Sequence, residues 1–210
     1  MTKPTNRYLR RYTDLTALLH ILQTRSISLL DPDNWEDKND SEFMRIFKNN
    51  SELTSLVALC FTQAGETYHH WKVFAKGMSG VCIYFNKDKL LTHLASQNVQ
   101  GGAVNYFTLQ GLKDAKLTLS ELPFSKRYQF RDEKEFRVIH ASNDAQFSVK
   151  SFAIGLDCIE RIALSPWLAP ALASSIKQTI RTIDGCEKMR VVVTNLNQNQ
   201  AWIEHGLNAC

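Results

Sequence analysis

The sequence predicts an α+β fold in which a mixed or mainly antiparallel sheet is flanked by helices. Segments with strand character outnumber helical ones, and the helical ones concentrate near the two ends of the chain. The segments lack the regular strand–helix alternation of a doubly wound parallel sheet. No stretch rich in Gly, Pro or Ser divides the 210 residues, and this length suits one substantial core. We therefore expect residues 1–210 to form a single domain.

The first elements are a strand, a helix and a short extended piece that leads into an acidic loop. The strand at 9–14 reads LRRYTD, and the helix at 15–25 carries leucines at helical spacing. Either Thr13 or Asp14 can cap this helix, because both side chains accept hydrogen bonds from backbone amides of a first turn. The extended piece and the acidic loop together occupy residues 26–40.

The remaining elements are predicted from apolar β-rich runs and from helical periodicity. Strands are expected at 56–62, 79–86, 133–141 and 147–154, with a last strand at 188–195 that closes the sheet. A further strand, within 101–109, follows a Gly-Gly turn. Helices are expected at 67–77, 87–97 and 170–183.

Composition and charge exclude several classes of protein. Hydrophobic residues make up 44% and charged residues 22% of the chain, which is typical of a globular protein. No apolar run approaches the roughly 20 residues of a membrane span, and no apolar stretch follows the basic N-terminus as in a secretory signal. We expect a cytoplasmic protein without a membrane partner. The net charge of +4 permits a polyanionic partner but does not demand one.

Five cysteines occur, an odd number, and none forms a C-x-x-C pair. Most lie in apolar runs such as LVALCF and GVCIYF. This distribution predicts buried free thiols in a reducing compartment rather than disulfides or a zinc site. The cysteines are Cys60, Cys82, Cys158, Cys186 and Cys210.

The strand at 133–140 carries an acid pair whose role has two explanations. Side chains alternate along a strand, so Glu133, Glu135 and Arg137 share one face while Phe136 and Val138 face the core. The carboxylates therefore point toward solvent or toward a cleft. They are either a solvated charged face or a pair of working acids, and spacing does not decide between the two.

The segment HWKVFAKGMSGVCIYF also has two explanations. Trp71 and Phe74 lie on one helix face, and Gly77 and Gly80 flank the turn into the next strand. The aromatic pair either packs in the core or forms a platform on which a planar base stacks.

Metal chemistry receives little support from the sequence. The acidic loop has Glu36 where a calcium loop needs Gly, and the adjacent His69 and His70 point about 100° apart on a helix. Pro32-Asp33 and Asp132-Glu133-Lys134 resemble the scattered motif of Mg²⁺-dependent nucleases, with a gap of about a hundred residues. We expect no metal, and a nuclease stays as a minor hypothesis.

Several segments, taken together and in order, resemble a bacterial family of uncharacterised domains. Its pattern is an Arg-Tyr opening, a Trp-rich Asp loop, a Trp helix before a Gly-Val-x-Ile strand, and a Glu-x-Glu-x-Arg strand. That family is in turn similar to the ADP-ribosyltransferases, and the resemblance implies their split sheet. The matching segments are LRRYTDLTALLHILQTRSISLLDPDNWEDKND, ALCFT, HWKVFAKGMSGVCIYF, VNYFT, FSKRYQFRDEKEFRV and IERIALSPW, which lie within residues 7–170.

The resemblance implies roles for the acid-bearing strand. Cleavage of the N-glycosidic bond of NAD⁺ generates an oxocarbenium-like cation, which a nearby carboxylate stabilises. Glu135 is expected to supply that carboxylate. Glu133 is expected to activate the acceptor as a general base, and Arg137 either holds the acid in place or binds phosphate.

The resemblance also implies how NAD is bound. An arginine on the first strand would grip a phosphate through a bidentate fork. Arg11 is preferred to Arg10 because it directly precedes the Tyr of the family's opening. Tyr12 or Trp71 would stack on the nicotinamide.

The implied function is an NAD-dependent ADP-ribosyltransferase, plausibly a toxin or antiviral defence effector. A nucleic acid is the favoured acceptor because the chain is mildly basic, and a protein acceptor stays open. Such an effector implies an antitoxin or inhibitor protein as a partner. The alternative is a non-catalytic regulatory module that binds a nucleotide or a nucleic acid.

Overall fold

The computed structural model describes residues 7–75 and 77–208. The helices in these residues are α1 (Leu15–Thr24), α2 (Lys38–Asn50), α3 (Tyr68–Phe74), α4 (Lys87–Ala95), α5 (Leu109–Ala115), α6 (Pro170–Arg181) and α7 (Gln200–Leu207). The strands are β1 (Tyr8–Asp14), β2 (Ser26–Leu30), β3 (Ser55–Thr62), β4 (Gly80–Asn86), β5 (Gln100–Ala103), β6 (Asn105–Phe107), β7 (Ser125–Arg127), β8 (Glu135–Ser142), β9 (Val149–Ala153), β10 (Ile159–Leu164) and β11 (Val191–Val193). The predicted α+β class is confirmed.

The main sheet is mixed but mainly antiparallel. Across the described part of the chain the order is β11-β10-β4-β1-β3-β2-β9, and β8 joins through β3 with β5 on its far side. The pairing of β10 with β11 is parallel, and the other pairs of this sheet are antiparallel. Strands β6 and β7 form a separate parallel pair. The last predicted strand therefore does close one edge of the sheet, as β11.

The sheet is split at one edge of β3. Along its other edge β3 pairs with β8 over its full length. Along the split edge it meets β1 only at Arg10↔Thr62 and β2 only at Leu30↔Ala58. The half-sheet that ends at β1 therefore diverges from β3 on the Cys60 side of Thr62, and this divergence leaves a gap between the two strands.

The two faces of the sheet differ in what covers them. One face carries the main core, into which α1, α4 and α6 pack. The other face carries two smaller apolar clusters, one around Trp71 under α3 and one around Met44 under α2. The register places Arg10, Thr62, Glu135 and Arg137 between these clusters on the second face. We call these four residues the polar band.

Three helices of the structure were not predicted, and the predicted concentration of helices at the chain ends is wrong. Helix α2 begins inside the segment assigned to an acidic loop, where the Asp37 carboxylate accepts from the Asn39 amide as an N-cap. Helix α5 is short and has no buried residue, and neither does α7. Helices without a buried face lack the apolar periodicity from which a helix is recognised.

The Gly-Gly pair was predicted to form a turn, but it is part of strand β5. A Cβ at Gly101 would lie 3.0 Å from the Leu91 side chain and 3.0 Å from the Phe136 ring. A Cβ at Gly102 would lie 3.0 Å from the Phe124 ring. Glycine fits here because neighbouring side chains pack directly on the β5 backbone, and a Cβ would force those side chains to shift.

The described cysteines are free thiols. Cys82, Cys158 and Cys186 are buried and Cys60 is half-buried, while Cys210 lies outside the described residues. In residues 7–75 and 77–208, no helix combines the length and the apolar character needed to cross a bilayer.

Of the two predicted caps of α1, Thr13 and Asp14, the structure has Asp14, whose carboxylate accepts from the Ala17 amide at 2.8 Å. Its bonds to Thr16 and Ala17 lower the pKa of Asp14. A lowered folded-state pKa stabilises the fold above the unfolded pKa, and this stabilisation is lost as the pH falls through the folded pKa.

We expect Asp14→Ala to lower the free energy of unfolding at pH 7 by about 1 kcal/mol. Thermal melts between pH 7 and pH 3 should show this deficit shrinking toward the acid end. Asp14→Asn is the control, because it keeps the cap and removes the charge. A deficit of Asp14→Ala that is independent of pH would contradict this account.

Candidate active site

A cavity of about 830 Å³ lies on the second face of the sheet, over the gap between β1 and β3. This volume is typical of small-molecule sites, which span about 300–1,000 Å³. Its lining combines both strands with the start of α2, the end of α3 and the segment before β8. Lining residues with polar side chains include Arg10, Arg11, Asp40, Thr62, Lys126, Glu133 and Glu135.

The cavity brings the N-terminal arginines and the acid pair of the β8 region together. Arg10 pairs with Thr62 across β1 and β3, and Thr62 pairs with Glu135 across β3 and β8. Strands lie about 4.8 Å apart in a sheet, so the Cα atoms of Arg10 and Glu135 are roughly 10 Å apart. Residues far apart in sequence therefore share one site because β3 lies between their strands.

The two arginines of β1 reach the cavity in different ways. Arg10 shares the polar band with Glu135, and its Nη1 donates to the Ala64 carbonyl at 2.7 Å. Arg11 spans the gap, where its Nη1 donates to the Cys60 carbonyl at 2.9 Å. Burial lowers the pKa of the Arg11 guanidinium, against a smaller opposing effect of Cys60. Both arginines line the cavity. The two therefore differ in their hydrogen-bond partners and not in their access to the cavity.

Glu135 is the most constrained acid of the site. It is 4% exposed. Its Oε1 accepts from Arg137 Nε at 2.8 Å, and its Oε2 accepts from Lys126 Nζ at 3.1 Å. The Glu135 backbone amide donates to the Tyr106 hydroxyl at 2.8 Å. Both carboxylate oxygens are therefore fixed, and the group lies in the wall of the cavity.

Arg137 lies behind this wall and is fully buried. Its Nη1 and Nη2 contact the two carboxylate oxygens of Asp40 at 2.9 and 2.8 Å, and Nη1 also donates to the Pro123 carbonyl at 2.7 Å. Its guanidinium stacks over Trp35, with 4.6 Å between Cζ and the ring centroid. Arg137 thus joins α2 to β8 and orients Glu135. Two roles were predicted for Arg137, and its contacts correspond to the one in which it holds Glu135 in place.

Glu133 precedes β8 and is half-buried. Its Oε2 lies 2.7 Å from Lys126 Nζ, and its backbone carbonyl accepts from the Thr62 hydroxyl. The same Lys126 ammonium lies 3.6 Å from Asp40 Oδ2. Three carboxylates and two cations therefore form one cluster, with a formal charge of −1 when every group is ionised.

The acids of this cluster differ in proton affinity. Burial raises the pKa of Glu133, against the lowering effect of Lys126. Burial also raises the pKa of Asp40, against Arg137. Burial alone would raise the pKa of Glu135 too, but Arg137 and then Lys126 outweigh it and hold that pKa below its usual value. Of the two glutamates, Glu135 is thus the one held ionised, and Glu133 has the higher proton affinity.

The two predicted aromatic residues differ in access. Tyr12 lines the cavity, with its ring 5.2 Å from Trp71 edge to face and 5.6 Å from His70 in a stacked arrangement. Trp71 is fully buried, and its indole Nε1 donates to Glu66 at 2.7 Å. The structure does not bring Trp71 to the cavity, because its side chain is buried in a cluster with Tyr12 and Tyr84. Trp71 therefore packs in the core, which is one of the two explanations given for its segment.

Two polar residues of the site were missed in the sequence. Asp40 belongs to the acidic loop, and nothing in its spacing links it to Arg137, 97 positions away. Lys126 lies seven residues before Glu133 on the three-residue strand β7. A short 3₁₀ segment, Tyr128–Glu133, turns the chain back so that Lys126 meets the acids. Neither contact leaves a periodic signal.

Within 7–75 and 77–208, no group of three or more His, Cys, Asp or Glu side chains is arranged to hold an ion. Asp40, Glu133 and Glu135 are instead engaged by Lys126 and Arg137.

Comparisons with known proteins give similarity in structure alone. No family model matches the chain, and no curated protein matches it. It is similar to DarT of Thermus sp. 2.9 in complex with NAD⁺ (11% identity, TM-score 0.47), with carba-NAD⁺ (10%, 0.48) and with ADP-ribosylated ssDNA (10%, 0.50). The alignments cover 91–92% of this chain and 97–98% of DarT.

The structure with ADP-ribosylated ssDNA, at a TM-score of 0.50, shows that the two proteins share a fold. The predicted ADP-ribosyltransferase-like fold is therefore confirmed. The motif-based resemblance to the uncharacterised family stays a prediction.

Proposed function

We propose that this protein is an NAD-dependent ADP-ribosyltransferase that modifies a nucleic acid. One observation carries the proposal. An ionised carboxylate, Glu135, is fixed by two cations in the wall of a cavity large enough for a small-molecule substrate, opposite two arginines. A preorganised anion in a half-enclosed site stabilises a developing positive charge strongly, because little reorganisation is needed during the reaction.

The residues of the cavity suit NAD as the substrate. Arg10 and Arg11 can pair with the diphosphate, and each would exchange a backbone carbonyl for a phosphate oxygen. Tyr12 supplies an aromatic wall beside them. Glu135 then lies near the ribose of a dinucleotide that spans the cavity. DarT, which shares the fold, was solved with ADP-ribosylated ssDNA, the class of product proposed here.

The reaction breaks the bond between ribose C1′ and the nicotinamide nitrogen, and nicotinamide leaves as a neutral molecule with the bonding electrons. Glu135 stabilises the resulting cation at C1′. A nucleophilic atom of the acceptor forms the new bond to C1′, and its proton passes to Glu133. Glu133 suits this step because it is the more exposed acid, at 19% of its side chain against 4% for Glu135.

The surface beside Glu133 favours a nucleic acid over a protein as the acceptor. Tyr128 is 43% exposed, with the Arg131 guanidinium 4.4 Å from its ring centroid. Arg127 is also exposed, and Phe130 lines the cavity. Aromatic rings interleaved with cations are the features that bind single-stranded nucleic acid, through base stacking and phosphate contacts.

Labelled NAD⁺ tests the proposal directly. The purified protein is incubated with NAD⁺ carrying ³²P in its adenylate phosphate, together with single-stranded DNA, RNA, duplex DNA or protein extract. We expect label on a single-stranded nucleic acid and one nicotinamide released per label. Binding of NAD⁺ or nucleic acid without turnover across this panel would identify a non-catalytic module. Nucleic-acid cleavage that EDTA abolishes and NAD⁺ does not affect would identify a nuclease.

Glu133→Gln should separate the two halves of the reaction. We expect transfer to nucleic acid to fall about 100-fold, the scale of a lost general base. Hydrolysis of NAD⁺ without acceptor should fall much less, since Glu135 remains. Quantifying both products in one assay measures the split, and Lys134→Gln, an exposed neighbour, serves as the matched control. Equal losses of transfer and hydrolysis would remove the general-base role from Glu133.

The biological setting is part of the proposal. We propose that residues 1–210 act as one domain in the cytoplasm, as a toxin or defence effector that a partner protein neutralises. Induced expression in a bacterial host should arrest growth and damage its nucleic acid, and co-expression of the partner should relieve the arrest. Normal growth at high levels of active protein would argue against a toxin.

A further inference from the structure

We propose that Lys126 is a positioning residue that keeps Glu133 able to accept a proton while it holds Glu135 in place. The inference rests on the proposed function, which assigns Glu133 and Glu135 to different steps. Lys126 itself touches no reacting atom in this account, and it acts only through the two acids.

Lys126 contacts both glutamates through its ammonium group. Its Nζ lies 2.7 Å from Glu133 Oε2 and 3.1 Å from Glu135 Oε2, and its side chain is 10% exposed. In the part of the chain that the structure describes, no second Lys, Arg or His lies within salt-bridge distance of Glu133. Glu135, by contrast, also has Arg137. Loss of Lys126 therefore leaves Glu135 paired and Glu133 unpaired.

The surroundings of Lys126 fix its position. It lies on β7, which pairs with β6, and its Nζ lies 4.8 Å from the centroid of the Phe130 ring. The third acid, Asp40, is 3.6 Å away and is already held by Arg137. Lys126 and the three acids all line the same cavity.

Charge balance determines which acid responds when Lys126 is removed. The cluster then holds three carboxylates against Arg137 alone, and a formal charge of −2 in a half-buried site favours uptake of a proton. Glu133 takes that proton because it has lost its cation. The other titratable or charged groups around it are Asp40 of α2, Cys60 of β3, His70 of α3, Tyr106 of β6, Glu135 and Arg137 of β8, and Arg10 and Arg11 across the cavity.

A direct titration tests the proposal independently of catalysis. The ¹³Cδ chemical shift of Glu133, assigned by its loss in Glu133→Gln, is followed by NMR from pH 3 to pH 9 in wild type, Lys126→Met and Lys126→Arg. We expect Lys126→Met to raise the midpoint by about 1–3 pH units, the effect of losing an adjacent opposite charge. Lys126→Arg should restore most of the wild-type midpoint. An unchanged midpoint in folded Lys126→Met would overturn the proposal, whether or not the protein turns over NAD⁺.

The transfer assay provides the second readout. The acid limb of its pH profile should move upward in Lys126→Met by the same interval as the NMR midpoint, so that activity lost at pH 6 returns at higher pH. A uniform loss at every pH would mean a structural role only and would overturn the proposal. If Lys126→Met does not fold, Lys126→Gln takes its place, because the amide keeps a hydrogen bond and loses the charge.

Discussion

Glu135→Gln should reduce transfer of ADP-ribose by roughly 1,000-fold, because the neutral amide no longer stabilises the cation at C1′. The substitution keeps the size of the side chain, and Gln can still accept from Arg137 Nε. NAD⁺ binding, measured by calorimetry, should change little, since the arginines on β1 remain. The loss should therefore appear in kcat rather than in KM.

This substitution also costs stability, which the activity assay must separate from catalysis. Glu135 is buried between two cations, so we expect the free energy of unfolding to fall by about 1–3 kcal/mol. Asp40→Asn is the matched control, because it removes one negative charge from the same cluster and leaves Glu135 ionised. Its activity should fall no more than about tenfold at a temperature where both variants are folded. Comparable losses in the two variants would exclude a catalytic role for Glu135.

Arg137→Met should produce the largest loss of stability. The guanidinium makes five close contacts to Glu135, Asp40 and the Pro123 carbonyl. An apolar replacement of similar length leaves two buried carboxylates, Glu135 and Asp40, with Lys126 as their one remaining cation among the described residues, which costs about 3–5 kcal/mol. The melting temperature should fall by roughly 10 °C, measured by calorimetry at pH 7.

The pH dependence of this variant supplies a second check. Glu135 has a lowered pKa in the folded protein because of Arg137 and Lys126, so its ion pairs contribute stability above the unfolded pKa that is lost as the pH falls. The deficit of Arg137→Met against wild type should therefore shrink toward pH 3. Arg137→Lys should recover only part of the loss, because an ammonium cannot reproduce the bidentate contact with Asp40. Full recovery by Lys would contradict the geometric argument.

The sequence predicted most of the sheet because its strands are continuous apolar runs. LVALCFT and SGVCIYFN became β3 and β4, and both are buried along nearly their whole length. Helix α1 was predicted from its leucine spacing, and its cap was narrowed to Thr13 or Asp14, of which the structure has Asp14. Helix α2 was missed because its residues are mostly polar and its few apolar side chains serve only the small cluster at Met44.

The site was predictable only where residues on one strand were involved. Glu135 and Arg137 are two positions apart on β8, so alternation placed them on one face, whereas Glu133 was assigned to the same strand but lies in the 3₁₀ segment before it. Their burial was not predictable, because it comes from α2 and from the turn that carries Lys126. The approach of the β1 arginines to the acids needed the order of strands, which the sequence does not encode locally. Trp71 shows the same limit, because its spacing fits both a platform and a core residue.

Few contacts bridge the gap between β1 and β3 beside the cavity. In the residues described, one backbone pairing at Arg10↔Thr62 and two guanidinium-to-carbonyl bonds, from Arg10 and Arg11, fasten the half-sheets beside the cavity. Those guanidinium groups are also the cations nearest to any anion that enters. A phosphate that binds these guanidinium groups thus competes with their bonds to the carbonyls. The distance between β1 and β3 therefore becomes coupled to whether the cavity is occupied. The spacing of β1 and β3 can in this way indicate whether a ligand occupies the cavity.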